Sequence, residues 1–102
     1  MKTLKLGEES FKQSESYYKE YIGAEIEMGA EVSIEIAGNL GWVFFKRLSV
    51  KGSIIALPGT GIKAGTGIKA GDGIEAGWGI EAGTGIKAGW GIEAGEGIKA
   101  GD

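Results

Sequence analysis

GTGIKAGTGIKAGDGIEAGWGIEAGTGIKAGWGIEAGEGIKA fills residues 59–100 with seven consecutive copies of G-x-G-I-[KE]-A, and Gly101 and Asp102 begin another. A fixed short period marks an architecture built by stacking one unit, and it outranks local propensity. Six is even, and strand side chains alternate between two faces, so the repeat keeps each position on one face through every copy. Isoleucine and alanine then share one side, and the Lys/Glu position takes the other. The stretch predicts short strands wound into a β-solenoid with the isoleucines from Ile62 to Ile98 inside.

Carried backwards from Gly59, the frame reads SIIALP, RLSVKG, GWVFFK, EIAGNL, GAEVSI and GAEIEM, reaching Gly23 without insertion or deletion. Its fourth position then holds Ile26, Val32, Gly38, Phe44, Val50 and Ala56. Among even-numbered residues from Ala24 to Ala100 only Lys46, Asp72 and Glu96 are charged, whereas 13 odd-numbered residues from Glu25 to Gly101 are, so one phase is expected throughout. A hairpin meander, whose loops have odd and even lengths, would break that phase. The expectation is a single-domain, all-β solenoid of about four coils over residues 23–102, degenerate over 23–58 and regular over 59–102. Coils of three repeats or of two both fit the period, and the triangular coil of three is favoured over the flattened coil of two.

The paired glycines are expected to supply backbone freedom at corners. A silk-like fibre with strands paired between chains is the competing arrangement. A collagen-like helix is excluded, because the glycines are spaced by two and four rather than three.

Residues 1–22 fall outside the frame. MKTLKL alternates like a strand, and SFKQSESYYKEYI places Phe11, Tyr18 and Ile22 on one helical face, so the stretch reads as an amino-terminal cap containing a candidate helix. A solenoid end exposes strand edges and core, which a cap covers. The other end, within a repeat at Gly101 and Asp102, is expected to meet a second subunit. In GWVFFK, apolar residues at Trp42, Val43, Phe44 and Phe45 occupy both strand faces and call for cover on both sides, by the amino-terminal segment with its tyrosines or by a second subunit, the first being favoured.

The chain has no cysteine and no histidine, which removes disulfides, thiolate metal sites and the commonest general base and metal ligand. It reads as a non-enzyme, with no cofactor and no metal. No apolar run reaches the length of a membrane span and no signal peptide opens the chain, so a cytoplasmic protein without membrane contact is expected. A net charge of -3 argues against direct nucleic-acid binding. The expected partner is a protein, either a second copy or another chain.

Two groups of residues are candidates for partner binding. Glu25, Glu27, Glu31 and Glu35 share one strand phase and form an acidic stripe able to mimic a row of phosphates before a basic enzyme channel. The glycine-flanked position holds Thr60, Thr66, Asp72, Trp78, Thr84, Trp90, Glu96 and Asp102. Burying Asp72 and Glu96 unpaired is unfavourable, so part of this column is expected at exposed corners, where Trp78 and Trp90 would serve as binding anchors. The column Lys63, Lys69, Glu75, Glu81, Lys87, Glu93 and Lys99 is expected on the surface.

The six-residue repeat with an aliphatic residue in each copy resembles the hexapeptide-repeat solenoids, and LSVKGSIIA followed by GIKAG is similar in texture to bactofilin-type β-helices. The resemblance implies a β-helical fold. It departs from the left-handed hexapeptide pattern two residues before the aliphatic, where that family has a small residue and this chain has Asp72, Trp78, Trp90 and Glu96. The acyltransferases of that family use a histidine that is absent here. Repeats of GIKAG and GIEAG are also similar to those of phage and mobile-element proteins. That likeness implies an inhibitor of a host defence or nucleic-acid enzyme, resembling anti-CRISPR proteins and acting in the host cytoplasm, as the alternative to a self-associating structural or interaction protein.

Overall fold

Each regular repeat contributes one strand, because I-[KE]-A alternates inward and outward, while the first glycine of each repeat from Gly71 to Gly95 passes so close to the backbone of the coil beneath that a side chain would not clear it. The computed structural model describes residues 1–100. Its strands are β1 (Lys2–Leu6), β2 (Phe11–Gln13), β3 (Lys19–Tyr21), β4 (Val32–Ile36), β5 (Gly41–Phe45), β6 (Leu48–Val50), β7 (Ile54–Ala56), β8 (Thr60–Ala64), β9 (Ile68–Ala70), β10 (Ile74–Ala76), β11 (Gly79–Ala82), β12 (Ile86–Ala88), β13 (Ile92–Ala94) and β14 (Gly97–Ala100). They stack into three faces, parallel throughout except for the β2–β3 pair, wound as a β-solenoid of about four turns. The first face runs β1-β4-β7-β10-β13. The second runs β2-β3-β5-β8-β11-β14, and the third β6-β9-β12. Strands pair within the chain, as a solenoid requires and a fibre does not.

Register fixes the coil length. Ile62 pairs with Ile80 and Ile80 with Ile98, Ile68 with Ile86, and Ile74 with Ile92, each a step of three repeats. The coil is triangular. Three aliphatic ladders line its interior, and Ile34, Ile54, Ile62, Ile68, Ile74 and Ile80 are all at most 2% exposed. Burying each such side chain contributes roughly 1.5–3 kcal/mol.

The uninterrupted frame over 23–58 is corrected. Ile34 pairs with Ile54, Ile54 with Ile74 and Leu48 with Ile68, each a step two longer than three repeats, while Val43 pairs with Ile62 in a step one longer. The inward isoleucine position is therefore held by Ile34, Val43, Leu48 and Ile54, not by Val32, Phe44, Val50 and Ala56. Along the chain these positions are nine, five, six and eight residues apart before the regular six begins at Ile62. The single phase also fails over β5, where Val43 and Phe45 are buried at 0% and 4% exposure and Trp42 and Phe44 turn outward.

Residues 1–22 are an irregular coil. β1 stacks in parallel on β4 with Leu4 opposite Ile34. In place of the candidate helix, β2 and β3 form an antiparallel hairpin with Phe11 opposite Tyr21, and β3 lies on β5. Among the described residues the only helical element is a 3-10 turn at Glu8–Ser10. The hairpin turn is closed by side chains: Ser14 Oγ donates to the Tyr18 carbonyl at 2.7 Å and accepts from the Ser16 amide, and Gln13 Nε2 donates to the Ser16 carbonyl. Such local bonds compete with helix formation.

The hairpin covers the aromatic strand on both sides. Phe11 and Tyr21 meet Phe45 within the coil, with ring centres 5.8 and 5.0 Å away, and Tyr18 lies on Phe44 outside at 5.0 Å.

Candidate interaction site

The three-repeat coil sorts the Lys/Glu column of the sequence into three unlike surfaces. On the second face, Lys63 lies opposite Glu81 and Glu81 opposite Lys99, so charges alternate, and Lys63 donates to Glu81. On the third face, Lys69 lies opposite Lys87. On the first, Glu75 lies opposite Glu93. Like charges one rung apart, at about 4.8 Å between strands, repel and destabilise the stack.

The second face also carries the aromatic residues. Trp42 lies across Gly61 and Gly79, where a Cβ on either glycine would come within 3.0 Å of the indole. Trp78 packs edge-on to Trp42 at 6.5 Å between centres. Hydrogen bonding to Glu81 holds the Lys63 ammonium above its ordinary pKa range, with partial burial opposing it and a hydrogen bond to Tyr17 adding to it. The Lys63 ammonium also sits 5.7 Å from the centre of the Tyr17 ring.

The glycine-flanked column lies mostly at corners. Trp78 and Glu96 share the corner between the first and second faces, Glu96 donating its amide to the Trp78 carbonyl. Asp72 and Trp90 share the corner between the third and first, Trp90 donating its amide to the Asp72 carbonyl at 3.1 Å. Thr66 and Thr84 mark the remaining corner. Asp72 and Glu96 are exposed, and Trp90 is 88% exposed against 37% for Trp78. The two tryptophans are therefore on different corners and form no common patch. Thr60 is the exception. It is fully buried, its hydroxyl donating to the Ala37 carbonyl at 2.6 Å and accepting from the Leu40 amide at 3.1 Å. Asp102 lies outside the described residues.

The acidic stripe is not one row. Glu25 and Glu27 line a cleft of about 650 Å³ together with Tyr21, Ile26, Phe44, Phe45, Lys46 and Arg47. Glu31 stands at another corner, 3.5 Å from the Lys51 ammonium. Glu35 lies on the first face, opposite Lys5 on one side and Ile55 on the other. Residues 22–29 are irregular rather than a strand, so strand parity does not govern Glu25 and Glu27.

No family model, curated protein or solved structure matches this chain. Among the described residues no three carboxylates gather as a metal site, and no helix is long and apolar enough to cross a membrane. Sequence reasoning missed Trp42 and the basic pair Lys46 and Arg47 as parts of these surfaces. It also missed the segregation of charge, which depends on the step of three repeats.

Proposed function

We propose that this protein is a non-enzymatic, cytoplasmic β-solenoid that acts as a structural or interaction scaffold and associates with itself. The observation that carries this reading is the segregation of like charge on the first and third faces. Stacked Glu75 and Glu93, and stacked Lys69 and Lys87, oppose folding, and none of the four has an ion-pair partner among the described residues. Columns of this kind make sense as complements to another surface, since opposed fields guide and orient association. The likeness of the repeat to hexapeptide and bactofilin-type solenoids is in keeping with a scaffold. A phosphate-mimicking inhibitor needs a continuous acidic row, and Glu25, Glu27, Glu31 and Glu35 are divided among a cleft, a corner and a face.

Sedimentation velocity over a wide range of protein and salt concentration tests the reading. Average mass is expected to rise with protein concentration and to fall as salt shortens the reach of charge from about 10 Å at 0.1 M to 3 Å at 1 M. A monomer at every concentration in low salt overturns it.

A further inference from the structure

We infer that the acidic first face of one copy docks on the basic third face of the next, giving an open series of side-by-side solenoids. This rests on the self-association proposed above and names its surfaces.

The first face presents Glu75 and Glu93 in consecutive rungs, with Asp72 and Glu96 at the corners on either side. The third presents Lys69 and Lys87 in consecutive rungs, with Arg47 at the corner before Leu48 and Asp72 on the corner it shares with the first face. Both charged pairs are separated by the same step of the same solenoid. Two copies with parallel axes therefore match charge for charge without distortion. On the first face, Gly73 and Gly91 leave a shallow groove of about 320 Å³ beside Ile55, Glu75 and Glu93. Lysine stems lie along apolar surface while their ammonium groups reach polar partners, so a groove edged by carboxylates suits Lys69 and Lys87 of a second copy. Trp90, on the corner these two faces share, stands at the edge of either contact and supplies an apolar anchor. Because the joined surfaces differ, the contact is heterologous, and a series that does not close on itself has a free acidic face at one end and a free basic face at the other.

Charge reversal tests the proposal. Glu75→Lys with Glu93→Lys makes both faces basic, and Lys69→Glu with Lys87→Glu makes both acidic. Each exchange replaces one like-charged pair by another, so the repulsion within the chain is retained, and circular dichroism is expected to show both variants folded. Each variant alone is expected to associate at least tenfold more weakly than the natural chain in low salt, and an equimolar mixture of the two is expected to recover association. If the natural chain associates but the variants are unaffected, or the mixture stays monomeric, the docking is wrong while self-association stands. Loss of association in Ile98→Lys, with indifference to both reversals, assigns the contact instead to the open edge of β14 and overturns the proposal. If the natural chain is itself monomeric, the underlying reading fails as well.

Discussion

The two halves of the solenoid reach the same cross-section by different means. In the regular half every coil takes three repeats, and its corners are tight enough that glycine is required by neighbouring backbone. A Cβ added at Gly71, Gly83, Gly89 or Gly95 would press on the carbonyl oxygen of the coil beneath, well inside the 3.0 Å below which Cβ atoms are essentially never found. In the degenerate half the coils are longer, and the corner between the first and second faces swells to hold Ala37 to Leu40 in one coil and Leu57 to Gly59 in the next. There the backbone enters the left-handed region at Asn39, Gly41 and Gly59, and the extra polar groups are met by Thr60. One half is held by what is missing from its side chains. The other is held by a particular hydroxyl.

The sharpest way to break the regular half is to fill that missing space. The first and second glycines of a repeat look alike in sequence but differ in surroundings, since a Cβ at Gly85 or Gly91 meets nothing within 4 Å. Among the described residues, positive φ is confined to Asn39, Gly29, Gly41, Gly59 and Gly97, so the tight corners need close approach rather than left-handed backbone. Gly83→Ala is expected to lower stability by about 3 kcal/mol, at the upper end of overpacking, because the obstacle is ladder backbone that cannot swing aside. Gly85→Ala is expected to be neutral or to stabilise by up to about 1 kcal/mol, through the reduced freedom of the unfolded chain. Urea denaturation of the two variants beside the natural chain measures the difference, and equal effects would mean that the corners are looser than described.

The degenerate half has its own weak point. Thr60→Val keeps shape and volume but removes the hydroxyl that serves both the Ala37 carbonyl and the Leu40 amide, leaving two polar groups inside an apolar coil. A loss of about 2 kcal/mol is expected, within the range for an unsatisfied buried group. Thr66 occupies the equivalent place in the next repeat, but it is exposed and bonds only to the Lys46 carbonyl, at 3.1 Å. Thr66→Val is expected to change stability by no more than about 0.5 kcal/mol. Thermal or urea unfolding of this pair measures how far the hydroxyl, rather than the residue type, holds the long corner.

The period, the isoleucines from Ile62 to Ile80 and the aromatic cover were legible in sequence, because each follows from alternation and apolarity, whereas Ile86 and Ile92 are only half-buried and Ile98, on the last strand, is 48% exposed. The shifted frame was not, for a definite reason. The step of eight from Ile54 to Ile62 is even, so it moves the frame without moving any residue to the other face, and a parity test cannot detect it. The odd steps of nine and five cancel, confining the broken phase to β5. There Trp42, Val43, Phe44 and Phe45 are all apolar, so polarity gives no warning. The available signal was turn chemistry: the chain's single proline, Pro58, and its single asparagine, Asn39, mark the two long corners. The charged faces were hidden differently. The same column is mixed when read along the chain, and when read at every third repeat it is segregated on two of the three faces. The hairpin was obscured because Phe11, Tyr18 and Ile22 are spaced as on a helix although Phe11 and Tyr21 are the pair that meet.

The second face, where charges alternate, provides the smallest contrast with the segregated faces. The hydrogen bond to Glu81 raises the pKa of Lys63 above its ordinary value of 10.5. A lysine whose folded pKa exceeds its unfolded one contributes stability fully below the unfolded pKa, and the contribution disappears as pH rises through the folded value. Glu81→Gln removes the charged partner. The natural chain is therefore expected to exceed this variant in stability by less than about 1 kcal/mol near neutral pH, as for other partly exposed ion pairs. The gap should begin to narrow at about pH 10.5, where an unperturbed lysine loses its charge, and close only once the pH has passed the raised folded value of Lys63. Tyr21, whose pKa burial raises, also loses stability above its ordinary value of 10.0, but it does so in both proteins and cancels in the difference. Urea denaturation of the two proteins from neutral to strongly alkaline pH measures the gap. A gap that persisted after Lys63 had lost its proton would show that Glu81 acts through packing against Lys99 and the neighbouring rungs rather than through the charge of Lys63.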